Sequence, residues 1–318
     1  MMKLLLVRTS SMGDLIHTFP AITDLAQHCP DICLHWLCES SFADIAALHP
    51  FVQEVKTLSW RKWRKFLVSR ETWQAIGILK KDLSAERYDA VLDAQGLWKS
   101  AVFARFAGVP VTGFNRHSAR ETWVASLYQN KIAVHRDANA VWRNRSLFAQ
   151  TFHYEFDEKN IDFGMIEQPL FYQTPYHVAL TATSADRKLW ANENWLSLFQ
   201  KMYETDGLPI YLPFGNETEK SRAEQLAQQY DFIHVCPKLT LKEAAALLSH
   251  ASSVIGVDTG LLHLANAFNR PVIGIYTATN PEKTGVQVAA NAQNIGNIGK
   301  IPTPKEVFDL WKTIIQAA

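Results

Sequence analysis

Residues 1–21 read MMKLLLVRTSSMGDLIHTFPA and carry the signal that decides the fold. The apolar run at residues 4–7 predicts a short buried strand. The run gives way to the polar stretch TSSMGD, and an amphipathic segment that predicts a helix follows. Open α/β sheets bind their ligands where strands end and helices begin, so this arrangement predicts that Asp14 lies at a ligand-binding edge.

The alternation of strand and helix continues outward from this stretch. Strands are predicted at KLLLVRT, ICLHWLC, VQEVKTL, YDAVLDAQG and VPVTGFN, and a second series at YHVALTAT, LPIYLPFG, FIHVCPK, SVIGVDTG and PVIGIYTA. This order predicts an α/β protein with two doubly wound domains. Periodicity weakens at residues 153–175, so we expect domains at 1–160 and 161–318. The last predicted helix, TPKEVFDLWKTIIQAA, belongs to the second domain or packs back on the first.

Composition limits the classes of function. The 318 residues are 47% hydrophobic and 20% charged, which is typical of a folded globular protein. A formal net charge of +1 provides no global field that would attract nucleic acid. The first apolar run is too short for an export signal, and no apolar run reaches the roughly 18 residues of a membrane span. We therefore expect a cytoplasmic protein with reduced thiols.

The strongest local signal is SVIGVDTGLLHLANAF at residues 253–268. A strand ends in Asp258, Thr259 and Gly260, and the helix that follows would present free backbone N–H groups and its positive dipole end to a phosphate. His263 lies one turn inside this helix and could reach the same anion. The alternative is that Asp258 or Thr259 caps the helix and His263 is an incidental surface residue.

Another strand end is followed by TATSADRKLW. Thr183 and Ser184 offer hydroxyl groups there, and Lys188 offers a point charge suited to a departing phosphate. The alternative is a solvated loop. In PFGNETEKSRAEQ, Glu217 and Glu219 start a helix, where they either stabilise its dipole or accept hydrogen bonds from sugar hydroxyls.

Asp14 has two interpretations. A carboxylate at a helix start, opposite a phosphate site, could take the proton from an attacking hydroxyl, and it could equally cap the helix. The sequence has no P-loop and no dinucleotide fingerprint, which argues against kinases and nicotinamide enzymes. No acidic cluster has the spacing of a metal site, so we expect neither a metal nor another cofactor.

The stretch SWRKWRKFLVSR at residues 59–70 mixes cations with aromatic side chains. Such a mixture suits a membrane interface or an anionic acceptor. The alternative is a solvated helix face whose tryptophans pack on the core. The residues concerned are Arg61, Lys62, Arg64 and Lys65 among Trp60, Trp63 and Phe66, with Arg120 in SARE as a further cation.

Several separated motifs, in register over nearly the whole chain, resemble the bacterial lipopolysaccharide heptosyltransferases of glycosyltransferase family 9. They are VRTSSMGDLIHTFPA, YDAVLDAQGLWKSA, RKWRK, SARE, DRKLW and VDTGLLHLANA. TSSMGD and DAQGLWKSA resemble the members that add the first heptose to the Kdo of lipid A. The resemblance implies a GT-B fold, in which two Rossmann-like domains face each other across a cleft. It also implies an ADP-heptose donor, a Kdo-lipid A acceptor and inverting transfer, by a protein peripheral to the cytoplasmic face of the inner membrane.

The resemblance also implies site residues. Asp14 matches the family's general base, Lys188 its donor-phosphate lysine and Glu219 its ribose contact. The remaining donor positions are Thr183, Ser184, Asp258, Thr259, Gly260 and His263. We expect the acceptor to meet Ser10, Ser11, Arg61, Lys62, Arg64 and Arg120, with Gly13 allowing the backbone to turn. The chain departs from the family after VIGIY, where TATNPEKTG replaces a glycine-proline-threonine run.

Three other functions remain open at this point. The chain could transfer the second heptose or another core sugar, or it could be a nucleotide-sugar epimerase on the same scaffold. It could also be a non-catalytic protein that binds a membrane surface. An epimerase would not need a basic patch for a lipid acceptor, and a binding protein would not need Lys188, Glu219 and the Asp258 motif together.

Overall fold

The computed structural model describes residues 1–183 and 185–316, and the chain divides into two compact units, Met1–Ile166 and Glu167–Ala318. Within the described residues each unit contains one six-stranded parallel sheet with helices between its strands. The predicted α/β class, with the two doubly wound units of a GT-B fold, is confirmed.

The sheet of the first unit has the order β3-β2-β1-β4-β5-β6. β1 lies at its centre, paired with β2 and β4, and its residues from Leu4 to Val7 are therefore fully buried. The strands are β1 (Met2–Val7), β2 (Ile32–Glu39), β3 (Val52–Leu58), β4 (Ala90–Asp93), β5 (Val111–Phe114) and β6 (Asn130–Ile132). The helices are α1 (Met12–Ile16), α2 (Phe19–His28), α3 (Ala43–Ala46), α4 (Trp60–Trp63), α5 (Arg70–Ala85), α6 (Trp98–Ala104) and α7 (Ala140–Phe152).

The second unit repeats this plan with the order β12-β11-β10-β7-β8-β9. Its strands are β7 (His177–Leu180), β8 (Ile210–Leu212), β9 (Ile233–Val235), β10 (Ser253–Val257), β11 (Val272–Tyr276) and β12 (Ala292–Gly296). Its helices are α8 (Asn192–Asp206), α9 (Glu217–Ala227), α10 (Leu241–Ser249), α11 (Gly260–Ala267), α12 (Pro281–Thr284) and α13 (Pro304–Gln316). None of the helices described is long and apolar enough to cross a bilayer.

The strand orders place the candidate residues. In the first unit, successive strands are added on one side of β1 as far as β3, and the chain then returns to place β4 on the other side of β1. In the second unit, the strand order reverses in the same way between β7 and β10. Ligands of open α/β sheets bind in the crevice at such a reversal. Asp14 follows β1, and Asp258 follows β10, so each unit has a candidate residue at its own switch point.

The last helix packs within the second unit. α13 contacts α8, β11 and β12, and Trp311 and Ile314 are fully buried in the core that these elements share. Trp311 Nε1 donates a hydrogen bond to Ser253 Oγ at 2.9 Å, which ties the helix to β10. The amphipathic pattern predicted this helix, and its apolar stripe accounts for the burial.

Candidate active site

The turn after β1 holds the Asp14 carboxylate between two arginines. Arg8 Nη2 lies 3.0 Å and Arg120 Nη2 2.7 Å from the same oxygen, Asp14 Oδ1. The other oxygen accepts a hydrogen bond from the backbone N–H of Ser11 at 2.9 Å, so Asp14 also caps the first turn of α1. Because the helix begins at Met12, Gly13 lies inside it, and residues 9–11 make the turn that the sequence analysis assigned to Gly13.

The two arginines decide the charge of Asp14. Burial alone would raise the pKa of this carboxyl group, but Arg8 and Arg120 outweigh burial and hold the pKa well below its usual range. Asp14 is therefore ionised at neutral pH. The arginines differ in freedom, because the Arg8 side chain is 5% exposed and the Arg120 side chain 49%. Burial lowers the pKa of Arg8 to about 10, and its guanidinium also donates to the carbonyl of Ala94.

The loop after β4 fixes the Asp14 turn from the other side of the switch point. Gln95 Oε1 accepts hydrogen bonds from the backbone N–H groups of Thr9 at 2.8 Å and Ser10 at 3.1 Å. The Lys99 ammonium donates to Ser10 Oγ at 3.1 Å. Burial is the main cause that lowers the pKa of Lys99. Ser10 is thus held by two side chains of the DAQGLWKS segment.

The basic stretch after β3 lies at the same carboxyl edge of this sheet. Nearby Arg61 and Arg64 also lower the pKa of Lys99, which places both arginines within electrostatic reach of the Asp14 turn. Arg61, Lys62 and Arg64 are exposed. Trp60 is half-buried and Trp63 is buried, which is the core packing that the alternative interpretation expected of these tryptophans. Trp60 makes an edge contact with Phe103 of α6 at 5.8 Å, and Trp63 packs on the same ring.

In the second unit the candidate donor residues surround the Asp258 carboxylate. Lys188 Nζ lies 2.7 Å and Thr279 Oγ1 2.8 Å from Asp258 Oδ2, and His263 Nε2 lies 3.8 Å from Oδ1. Thr183 Oγ1 donates to the backbone carbonyl of Asp258 at 3.0 Å. Burial opposes ionisation, but His263, Lys188 and Thr279 outweigh it and lower the pKa of Asp258 well below its usual range. His263 is buried in this cluster and is no incidental surface residue.

The start of α11 lies directly beside this cluster. Thr259 is the N-cap residue, and its side chain makes no capping hydrogen bond. The first backbone N–H groups of an α-helix have no partner within the helix, so Gly260 can offer its N–H to an anion. The predicted position Ser184 lies outside the described residues.

Glu219 has a structural role at the start of α9. Its Oε2 accepts a hydrogen bond from the backbone N–H of Gly215 at 2.7 Å, while Asn216 caps α9 through the N–H of Glu219. Beside it is an open cavity of about 550 Å³. The cavity is lined by Thr183 and Glu219 and by further polar residues, which include Asp186, Asn192 and Arg222. Glu219 therefore lies at the rim of a cavity that is large enough for a sugar ring.

One group of possible metal ligands occurs in the described part of the chain. It comprises His35, Glu54 and Glu86 in the first unit. The Lys56 ammonium lies 2.7 Å from Glu54 and 2.6 Å from Glu86, so a cation of the chain itself already neutralises these carboxylates.

Four residues that the structure places at the two sites were not predicted from the sequence. They are Arg8, Gln95, Lys99 and Thr279. Arg8 and Gln95 are each the second-to-last residue of a predicted strand, and that position was the available signal. Lys99 lies within a quoted motif, and Thr279 lies in the segment that departs from the family pattern. The partners of Lys99 and Thr279, which are Ser10 and Asp258, cannot be inferred from the sequence around them.

Comparisons with known proteins agree with this geometry. The family model "Glycosyltransferase family 9 (heptosyltransferase)" matches residues 76–309. The lipopolysaccharide heptosyltransferase 1 of Salmonella typhimurium is 37% identical over 93% of this chain and 97% of its own length. The structure of the E. coli heptosyltransferase WaaC with ADP superimposes with a TM-score of 0.92 at 34% identity, over 100% of both chains. E. coli ADP-heptose lps heptosyltransferase II gives a TM-score of 0.75 at 18% identity, which shows the fold alone.

The family match covers more than half of the chain, and the Salmonella relative is similar over nearly its full length. This chain belongs to glycosyltransferase family 9, the heptosyltransferase family.

Proposed function

We propose that this protein transfers heptose from ADP-L-glycero-D-manno-heptose to the Kdo of Kdo-lipid A. The observation that carries the proposal is a pair of sites at two switch points. One is an ionised carboxylate, Asp14, and the other combines Lys188 with the start of α11. Curated relatives at 37–40% identity are lipopolysaccharide heptosyltransferases 1, which favours transfer of the first heptose.

The donor diphosphate would bind at the start of α11 with Lys188 as its cation. Lys188 is paired with Asp258 at 2.7 Å, and Thr279 holds the same oxygen from another direction. A diphosphate at Gly260 would compete for Lys188, while Thr279 and His263 would keep Asp258 in place. Negative charge on the departing ADP would then meet a helix dipole and an ammonium group. The cavity beside Glu219 would take a hydroxyl-bearing ring of the donor.

Asp14 would act as the general base for inverting transfer, without a covalent intermediate. A base with a strongly lowered pKa is a weak base, so its arginine partners matter. Arg8 is buried and also bound to the Ala94 carbonyl, whereas Arg120 is half exposed. The Kdo acceptor carries a carboxylate, which would draw Arg120 away from Asp14. Acceptor binding would thereby raise the pKa of Asp14 when the base is needed.

The acceptor would lie along Ser10, Ser11 and the cations Arg61, Lys62 and Arg64. These cations are exposed at the edge of the sheet that carries Asp14, and Kdo-lipid A is an anionic glycolipid. The same charges would hold the protein at the cytoplasmic face of the inner membrane, where each cation near an anionic surface contributes about 1 kcal/mol.

The direct test is ADP formation from ADP-heptose with and without Kdo-lipid A. We expect ADP only when both substrates are present. Lys188→Ala should lower kcat/KM by about 10²–10³-fold, because its contact strengthens as the leaving group gains charge. Lys220→Ala is the matched control, since the Lys220 side chain is 41% exposed and pairs only with Glu224 among the described contacts. ADP release that is independent of acceptor, or an epimerised donor without ADP release, would contradict the proposal.

A further inference from the structure

An apolar surface is exposed between α4 and α5. Its side chains are Phe66, Leu67, Val68 and Trp73, with exposed fractions of 54, 45, 101 and 60%. We refer to these four residues as the apolar tip. Three consecutive large apolar residues that face water are unusual in a folded domain, and such surfaces mark interaction sites.

The apolar tip has a defined geometry. The backbone N–H of Phe66 donates to the Trp63 carbonyl at 2.9 Å, and that of Ser69 donates to the Phe66 carbonyl at 3.0 Å. Trp73 Nε1 donates to the Leu67 carbonyl at 2.7 Å, which fixes the indole ring beside the turn. Buried Trp63 anchors the segment before the tip. Buried residues of α5, including Leu79, anchor the segment after it. Buried residues therefore anchor the chain on both sides of the apolar tip.

Charge around the apolar tip is mostly positive. Lys62, Arg64, Lys65 and Arg70 are exposed on both sides of it, with one exposed acidic residue, Glu71, nearby. Exposed cations on both sides of an apolar segment complement an anionic bilayer. The cations meet lipid phosphates, while the aromatic and aliphatic side chains enter the headgroup and upper acyl region.

We propose that the apolar tip inserts into an anionic lipid leaflet and anchors the first unit there. This inference rests on the proposed function, in which the acceptor is a membrane glycolipid, and it goes beyond the electrostatic attachment described above. Insertion differs from electrostatic attachment in its response to salt. At 1 M salt the Debye length falls to about 3 Å, so surface charge is screened while apolar contact is retained.

The test uses vesicles of phosphatidylglycerol and phosphatidylethanolamine without donor or acceptor, so its outcome is separate from that of the transfer assay. We expect the wild-type protein to remain partly bound at 1 M salt. The triple variant Phe66→Ser, Leu67→Ser, Val68→Ser should bind at least about tenfold more weakly there, because three apolar side chains no longer leave water. The matched control replaces the exposed Val288, Ile298 and Ile301 of the second unit by serine and should bind like wild type.

A second readout reports insertion directly. Vesicles with brominated acyl chains should quench the tryptophan fluorescence of the bound wild-type protein, and Trp73→Phe should remove a distinct part of that quenching. Wild-type binding that vanishes at 1 M salt, or a triple variant that binds like wild type, would overturn the proposal. So would a concentration-dependent dimer that the triple variant abolishes, because the tip would then dock on a second copy of the chain.

Discussion

Asp14 is the residue on which the proposed chemistry depends, and its two arginine partners are not equivalent. Arg8 is buried and also bound to the Ala94 carbonyl, so it stays in place. Arg120 is half exposed, so it is the partner that an anionic acceptor can draw away. Its departure would raise the pKa of Asp14, since one of the two cations that stabilise the charged form would be gone.

This exchange predicts how activity depends on pH. The profile of kcat/KM reports the free enzyme, and that of kcat reports the substrate complex. In the wild type, Asp14 should cause no acid limb in kcat/KM above about pH 5, because its pKa lies below the usual carboxyl range. The acid limb of kcat should lie at higher pH. In Arg120→Gln, the acid limb of kcat/KM should shift to the higher pH at which the acid limb of kcat lies.

The control for this profile is Arg116→Gln, which removes an exposed arginine from the same loop. It should leave both acid limbs where they are in the wild type. If Arg120→Gln also leaves the acid limb of kcat/KM unchanged, Arg120 does not set the pKa of Asp14, and acceptor binding cannot activate the base in this way.

At the scale of elements, the segments after β1 and β4 form one assembly. Gln95 joins them, because its buried Oε1 accepts hydrogen bonds from Thr9 and Ser10. Asp93 supports Gln95 through the hydrogen bond from the Gln95 backbone N–H at 2.8 Å. The other oxygen of Asp93 accepts hydrogen bonds from Tyr128 at 2.7 Å and Ser100 at 2.8 Å. The turn that carries Asp14 is thus held by a buried polar network.

Gln95→Ala should loosen this turn. It leaves the buried N–H of Thr9 and the half-buried N–H of Ser10 without their acceptor. The loss costs about 1–3 kcal/mol for a buried group. We expect a lower free energy of unfolding by denaturant titration, together with a lower kcat and unchanged ADP-heptose affinity. Gln129→Ala is the control, because Gln129 makes a similar contact to Val111 away from Asp14. Equal effects of both variants on kcat would show that Gln95 has no role particular to the turn.

The sequence predicted the elements better than the contacts. The β1 and β10 strand ends were visible because buried apolar runs stop at Asp, Gly and Ser or Thr, and those local patterns located Asp14 and Asp258. β6 and β12 were not predicted, since Asn130–Ile132 and Ala292–Gly296 lack a clear apolar pattern. The pairing of Arg120 with Asp14 joins residues 106 positions apart in sequence, and tertiary structure alone brings them together.

At the scale of the whole molecule, the two units share one sheet architecture but carry different polar groups at their switch points. Each unit has a six-stranded sheet and a polar cluster at its switch point. The cluster of the first unit is a carboxylate paired with two arginines, which keep it ionised. That of the second unit combines a lysine, threonines and the start of a helix, as a diphosphate requires. Family membership shows a glycosyltransferase. The division of polar groups between the two units favours our proposal that the first unit supplies the base.

The central claim is that Asp14 is the base for heptosyl transfer, and the kcat of Asp14→Asn tests it most directly. Asparagine keeps the shape of the side chain but cannot accept the acceptor proton. Loss of a positioned base typically lowers the rate by about 10²–10⁴-fold. We predict a decrease in kcat of that size for ADP formation with Kdo-lipid A, with an unchanged dissociation constant for ADP-heptose. A variant whose kcat stays within a few-fold of the wild-type value would contradict the account.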